Sequence, residues 1–296
     1  MSLQGALYRA AMAVWMVLVF GAWIYVDLGY TEPFLSFSDV PGGSMGAFVG
    51  AMGVTVAGWV LISSVQQRRE GVAWQEAGRR AGLRPADDSG STSAPALTGT
   101  VNGRTITARY DKRKMGGAEG GTWVTFTSGE AELAGPADEG VVVGTAGGRV
   151  DAGIGTLDFD EMADTASAAE GLVAVERGDL ILVGTSTEAV EAVSSGLSGD
   201  ALRAIRDLSV VSIGDASGVV ARWAEARNEE MEGRGSSLAE YPVDNLVERV
   251  PGDATTVTVE TKSSIRDGEV LRRFAEGVVA IADAFEEATA RPPSSG

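Results

Sequence analysis

Cysteine and histidine are absent from this 296-residue chain, and lysine occurs only at positions 112, 114 and 262. The first two absences exclude disulfides, zinc held by cysteine or histidine, haem held through histidine, cysteine nucleophiles and histidine-based triads. Any enzyme chemistry would have to run on carboxylates, Ser, Thr, Tyr, Lys or Arg. No Ser-x-x-Lys occurs, and Lys262-Ser263-Ser264 sets the pair adjacent at a strand end, where it builds no nucleophile. Basic charge is scarce as well. Lys and Arg total 24 against 41 Asp and Glu, for a net charge of −17, which argues against nucleic-acid binding through a basic surface.

Charge of either sign is missing from two N-terminal stretches, Ala10 to Val26 and Met45 to Val65. At about 1.5 Å per helical residue, runs of this length approach the roughly 30 Å hydrocarbon core of a bilayer. The expectation is a transmembrane hairpin over 1–66, with spans near 10–30 and 44–65. Residues 31–44 carry Glu32 and Asp39 and no basic residue, whereas Arg9 precedes the first run and Arg68, Arg69, Arg79, Arg80 and Arg84 follow the second. Basic flanks stay on the cytoplasmic side, so both termini are expected inside a multi-pass cell-membrane protein. A cleaved signal peptide is the competing reading. It needs a basic n-region, a short apolar core and a small-x-small site, and Trp23-Ile24-Tyr25-Val26-Asp27 offers no such site.

Within the second run, Gly42, Gly46 and Gly50 recur every four residues. That spacing lets helix backbones approach closely. It suits packing of the two spans on each other, or a homodimer through the second span.

Beyond the spans, 67–85 reads as a membrane-proximal helix with Val72, Trp74, Ala77 and Ala81 on one stripe, stopped by Gly82 and Pro85. Trp74 and the arginines are expected near the headgroups. Residues 86–96 read as a polar flexible linker that detaches the soluble domain, 97–290, from this helix, and 291–296 as a tail. Asn102-Gly103 between Leu97–Val101 and Arg104–Tyr110 predicts a hairpin with a type I′ turn. A loop is expected over 111–121, basic at Lys112, Arg113 and Lys114, with strands over Thr122–Thr127 and Val141–Val143. A second hairpin turns at Arg177-Gly178. Short helices are expected at Thr187–Ser194 and Gly199–Asp207, a strand at Leu208–Ile213, and a helix from a cap at Asp215 to about Met231. A strand at Thr255–Glu260 precedes the last helix. There Val270, Leu271, Phe274, Val278, Ile281, Ala282 and Phe285 fall at three- and four-residue steps behind a cap at Asp267. The mixture predicts an α+β fold: a mixed, largely antiparallel, β-rich soluble domain with a C-terminal helix.

The acidic cluster Asp158, Asp160, Glu161 and Asp164 is the most enzyme-like feature, because hard cations such as Mg²⁺ and Ca²⁺ want several oxygens. Asp158, Asp160 and Asp164 are therefore candidate metal ligands. The glycine-bearing loop of a calcium hand is absent, and Leu157, Phe159 and Met162 interleave with the acids as a core pattern would. The glycine-rich stretch from Gly144 to Gly155 lacks both the Lys-Ser/Thr ending of a P-loop and a GxGxxG opening a helix. Gly147-Gly148 fits a hairpin turn instead. No cofactor is expected. The Lys112-Arg113-Lys114 run is the densest positive spot of the domain, read as a solvated loop or as a contact with anionic lipid.

Acid-rich, lysine-poor composition of this kind resembles proteins of extremely halophilic archaea. In molar salt the Debye length falls to about 3 Å and carboxylate repulsion is screened. Four motifs carry a closer resemblance: Trp74-Gln-Glu-Ala-Gly78, Ala81-Gly-Leu-Arg-Pro85, Leu97-Thr-Gly-Thr-Val-Asn-Gly-Arg104 and Asp158-Phe159-Asp160. Over roughly 70 to 215 the chain resembles a group of uncharacterised haloarchaeal membrane-anchored proteins. The order Gly-x-x-x-Gly-Arg, strand, loop, Phe-Asp also resembles some bacterial proteins of unknown function. The resemblance implies a short membrane region before a β-rich cytoplasmic domain, with no activity and no functional residue to carry over. The leading expectation is an integral membrane protein presenting a cytoplasmic domain to a protein partner, as scaffold, envelope-associated factor or accessory subunit. A metal-dependent membrane enzyme built on Asp158, Asp160 and Asp164 is one alternative. A membrane sensor is the other, disfavoured by the short outer loop and by the linker.

Overall fold

The computed structural model describes residues 3–27, 43–86, 94–115, 122–151, 156–197, 208–233, 247, 250 and 254–289. The expected outer loop, the helix at Gly199–Asp207, Gly42 and the tail lie outside these residues. The chain divides into two units, Met1–Glu70 and Gly71–Gly296.

The first unit holds helix α1 (Leu3–Asp27) and most of helix α2 (Gly43–Arg80). Their contact is aromatic: Phe48 lies 6.2 Å from Phe20 and 5.3 Å from Trp23, centroid to centroid. Thr55, buried in the unit, returns its hydroxyl to the Ala51 carbonyl at 2.8 Å, so no donor is left unsatisfied in apolar surroundings. Among the described residues one helix is long and apolar enough to cross a bilayer, within Phe48–Arg80. The apolar part of α1, Ala13–Tyr25, is shorter, about 20 Å of helix. One clear span thus stands where the sequence suggested two. A Cβ built at Gly50 or Gly53 would meet nothing within 4 Å. The close backbone approach implied by the glycine spacing is therefore not made at Gly50 within the chain.

The second unit begins earlier than expected. Trp74, Ala77, Ala81 and Leu83 are buried in its core with Leu97 and Ile106, and the Trp74 indole donates to the Pro95 carbonyl at 2.8 Å. Gly78 lets the end of α2 approach β2 closely, since a Cβ there would stand 2.4 Å from the Leu97 side chain. Trp74 is therefore a core residue and not a headgroup anchor, and the domain starts upstream of the linker. Strand β1 (Arg84–Pro85) then pairs with β2 (Leu97–Val101) across it. The reason given against the sensor reading, a linker between helix and domain, falls with this.

The turn at Asn102-Gly103 has φ of 49° and 85°, as a type I′ hairpin requires. It joins β2 to β3 (Arg104–Met115), which pairs from Ile106 to Met115 with β4 (Thr122–Glu132). The predicted loop at 111–121 is thus strand as far as Met115. Its alternation is polar rather than apolar, and cross-strand partners stabilise it: the Arg113 guanidinium lies 4.8 Å from the Phe126 ring centroid.

Further strands are β5 (Gly140–Thr145), β6 (Arg149–Asp151), β7 (Thr156–Asp158), β8 (Val173–Arg177), β9 (Leu180–Gly184), β10 (Leu208–Gly214) and β11 (Thr256–Thr261). Nine of them form one sheet in the order β1-β2-β3-β4-β11-β10-β5-β9-β8, antiparallel throughout, while β6 pairs only with β7. Gly147-Gly148 is a turn, but it hands the chain to this small ribbon instead of closing a hairpin on β5.

Among the described residues the unit has four further helices: α3 (Phe159–Ala168), α4 (Thr187–Gly196), α5 (Ala216–Gly233) and α6 (Gly268–Thr289). Asp267 caps α6, accepting from the amides of Glu269 and Val270. Leu271, Phe274, Val278, Ile281, Ala282 and Phe285 are buried, whereas Val270 stays exposed. α6, α4 and the end of α2 cover one sheet face, and α3 and α5 cover the β5-β9-β8 part of the other. The fold is α+β, with a large antiparallel sheet and a C-terminal helix.

Candidate functional site

Asp158, at the end of β7, has an extended backbone, and its carboxylate accepts from the amides of Asp160 (3.1 Å) and Glu161 (3.3 Å), capping α3. The Arg149 guanidinium donates to the same carboxylate at 2.8 Å. Desolvation opposes ionisation here, but the Glu161 amide, Arg149 and the Asp160 amide together outweigh it and hold the pKa below the ordinary aspartate value. Asp160 accepts from the Gly147 amide at 3.0 and 3.1 Å. Leu157, Phe159 and Met162 are buried between these acids. Phe159 sits directly against β5, where a Cβ at Gly144 would lie 2.2 Å from its ring.

Across from α3, Arg227 of α5 pairs with Glu161 at 2.5 Å and with Glu230 at 2.7 Å. Arg222 reaches the Gly171 carbonyl at 3.4 Å. Between the two helices lies a groove of about 950 Å³ lined by eight carboxylates: Asp158, Asp160, Glu161, Asp164, Glu170, Glu225, Glu229 and Glu230. Among the described residues that line it, the cations are Arg222 and Arg227. Its walls are charged and wet.

The three candidate metal ligands line this one groove but do not converge. Among the described residues no three acidic side chains are placed to share a cation. Asp158 is committed to a helix cap and an arginine, Asp160 to a backbone amide, and Asp164 is exposed. The geometry therefore does not support the metal-enzyme alternative. The glycine-rich stretch is no phosphate cradle either. The Gly147 amide already holds a carboxylate, the Gly148 amide closes a turn on the Thr145 carbonyl, and Gly144 is there to admit Phe159. Residues 152–155 lie outside the description.

A polar cluster that the sequence did not reveal sits on the sheet face shared by β3, β4 and β11. Glu260 is only 2% exposed and pairs with Arg113 at 2.7 Å; Asp111 accepts from the Arg113 Nε at 2.8 Å. Burial is the largest influence on Glu260 and pushes its pKa up, more than Arg113 brings it down. Arg113 is therefore an internal partner, which breaks up the basic run expected at 112–114. Lys112 and Lys114 point to the opposite face. A second network ties the first hairpin to the last helix: Arg104 pairs with Asp283 and Glu286 at 2.7 Å each and donates to the Glu132 carbonyl at 2.5 Å. The Lys262 ammonium donates to the Arg149 carbonyl at 2.9 Å, which leaves no Ser–Lys catalytic pair there.

No protein-family model matches this chain, and a search of curated proteins gave no match. Among solved structures, the crystal structure of the mycobacterial trehalose monomycolate transport factor A, TtfA, aligns with a TM-score of 0.40 at 8% identity, covering 77% of this chain and 98% of that one. A likeness that distant carries neither a fold assignment nor a function to this protein.

Proposed function

We propose that this chain is a membrane-anchored accessory or scaffold protein whose α+β domain works by protein–protein contact through the α3–α5 groove. The observation that carries the reading is the groove itself. Eight carboxylates face one open cavity of about 950 Å³, and among the described residues no three of them are placed to share a metal ion. A surface of that charge suits a partner segment that places Arg or Lys in direct contact with the carboxylates, and it selects against acidic competitors. The apolar stretch of α2 supports anchoring in a bilayer.

The finer reading is a two-span hairpin of α1 and α2 with both termini cytoplasmic, supported by the arginines at 9, 68 and 69 against Glu32 and Asp39 between the helices. The halophilic setting belongs to the same reading and explains why so acidic a domain is tolerated.

Crosslinking of the full chain in membranes held at molar KCl, followed by mass spectrometry, tests the groove. A reproducible partner crosslinked to α3 or α5 is expected, and it should be lost from a Glu225→Gln/Glu229→Gln/Asp164→Asn variant that still folds. Undiminished crosslinking to the same partner by that variant would remove the groove from the proposal.

A further inference from the structure

Within the first unit a groove of about 680 Å³ runs between α1 and α2. Met16 and Phe20 line it from α1, and Met52, Val56 and Trp59 from α2. Its inner end lies one turn from Phe48, whose contact with Phe20 and Trp23 brings the two helices together. From Met52 to Gln66, its last residue on α2, it follows about 21 Å of helix at 1.5 Å per residue. Gln67, Arg68 and Arg69 come next, so the outer end lies where the charge-free stretch stops. The groove thus starts at the edge of the apolar span and ends past the middle of a hydrocarbon core roughly 30 Å thick.

Polar groups gather at that outer end. Thr55 and Ser64 each return the hydroxyl to the carbonyl one turn back, as hydroxyls in apolar helices do. Ser63 lines the groove, and its hydroxyl has no partner among the described residues. Gln66, one turn further on, spends an amide N–H on Glu70 and retains a carbonyl oxygen and a second N–H. An unmet hydroxyl is costly in hydrocarbon, so the site calls for a polar group brought by whatever fills the groove.

We infer that the α1–α2 groove binds one amphiphilic lipid. Its chain lies along Met16, Phe20, Met52 and Val56, and an uncharged head group bearing hydroxyl or ester oxygens meets Ser63 and Gln66. The length is that of a chain from one leaflet, whereas a partner helix would be expected to follow the whole span. A helix laid over the same 21 Å is a cylinder about 10 Å across, about 1,600 Å³, more than twice the groove. Gly50 and Gly53, the small residues that would let a further helix approach, do not line it. Methionines on both walls adapt to a flexible chain. Neither alkyl burial nor hydrogen bonding between uncharged groups is lost to ionic screening in molar salt. The inference rests on the reading of α2 as a membrane span and does not involve the α3–α5 groove.

The full chain is reconstituted in molar KCl into vesicles of zwitterionic phospholipid that contain a diacylglycerol with a photoactivatable diazirine in one acyl chain. After irradiation, adducts are mapped by peptide mass spectrometry. Adducts at Met16, Met52 and Val56 should fall when excess unlabelled diacylglycerol is added at constant probe content. Those at Val14 and Leu61, exposed and outside the groove, should not. Val56→Trp should fill the groove and abolish the displaceable adducts, while Val54→Trp, on a residue that does not line it, should leave them unchanged. Ser63→Ala/Gln66→Leu should raise the diacylglycerol needed for half-displacement by about fivefold for each hydrogen bond lost. Circular dichroism checks that each variant keeps its helices. Equal displacement inside and outside the groove marks bulk lipid and overturns the inference. So do displaceable adducts that survive Val56→Trp, or a half-displacement indifferent to Ser63 and Gln66. Groove residues that stay unlabelled overturn it as well. Carbonate extraction separates the two readings: a chain retained by the vesicles without displaceable adducts leaves the span standing and the lipid site refuted, whereas release into the supernatant refutes both.

Discussion

Replacing Arg113 with alanine removes the one guanidinium that faces Glu260. Glu260 is 2% exposed, and its partner is 2.7 Å away. Truncating one member of a buried pair leaves an uncompensated charge, at a cost of about 3–5 kcal/mol. The Arg113 side chain is 28% exposed, so water reaches the gap and the lower end, about 3 kcal/mol, applies. For a domain of this size that lowers Tm by roughly 6–12 °C. Glu260→Gln should cost far less, because the amide keeps the shape and needs no counter-charge. The double variant should recover most of the loss. The pH dependence follows from the sign of the Glu260 shift. Its folded pKa lies above the ordinary carboxylate value, so the ionised form is penalised only in the folded state. The unfolded state titrates alike in wild type and variant, so the Arg113→Ala deficit is full where Glu260 is ionised in both folded proteins and shrinks as pH falls through their raised folded pKa values, where protonation removes the unpaired charge. Thermal denaturation of the full chain in molar KCl, followed by circular dichroism between pH 4.5 and 7.5, reads all three variants. Additive losses in the double variant, or an Arg113→Ala deficit that does not shrink in acid, would refute this account.

Three further outcomes are expected. Trp74→Ala should cost about 3–5 kcal/mol, because the indole is 1% exposed among Leu97, Ile106 and the α6 side chains; an unchanged melting curve would return Trp74 to the membrane interface. Asp158→Ala should cost about 1–2 kcal/mol by removing the α3 cap and the Arg149 partner. Since the folded Asp158 pKa is depressed, that contribution is present above the ordinary aspartate value and lost as pH falls below it, so wild type and variant should converge in acid. Circular dichroism across a KCl series should show cooperative unfolding shifting upward with salt, and melting indifferent to salt would show that the net charge of −17 is no solvent adaptation.

What the sequence revealed depended on how local the cause was. The α6 stripe and the Asn102-Gly103 turn are properties of a few adjacent residues, and both are found where the periodicity and the dipeptide placed them. Strand β3 beyond Tyr110 was hidden because Asp111 to Lys114 carries no apolar alternation; its order comes from Phe126 across the hairpin and Glu260 on a third strand. Helix α3 had its signals in plain view, an Asp cap, acids in the first turn and Met162, Ala163 and Ala166 on one side. The metal reading of those same acids obscured them. The start of the domain was misplaced because the end of α2 has an apolar stripe that fits a headgroup layer as well as a core. Only Pro95, within the expected linker, and Leu97, just past it, decide between the two. The groove could not be read at all, since its second wall comes from α5, far along the chain.

The basic residues divide by chemistry rather than by position. Arg104 holds Asp283 and Glu286, Arg113 holds Asp111 and Glu260, and Arg227 holds Glu161 and Glu230. Each of these arginines joins elements remote in sequence through at least one of its links, and each uses the planar fork that lets one guanidinium serve two carboxylates. An ammonium is a more strongly hydrated point charge and makes a poorer internal clamp. These three arginines act as internal cross-links, whereas Arg79, Arg80, Arg272 and Arg273 make exposed pairs within their own helices. Lysine is placed differently: Lys262 donates to a backbone carbonyl, and Lys112 and Lys114 stand exposed on the sheet face opposite Arg113.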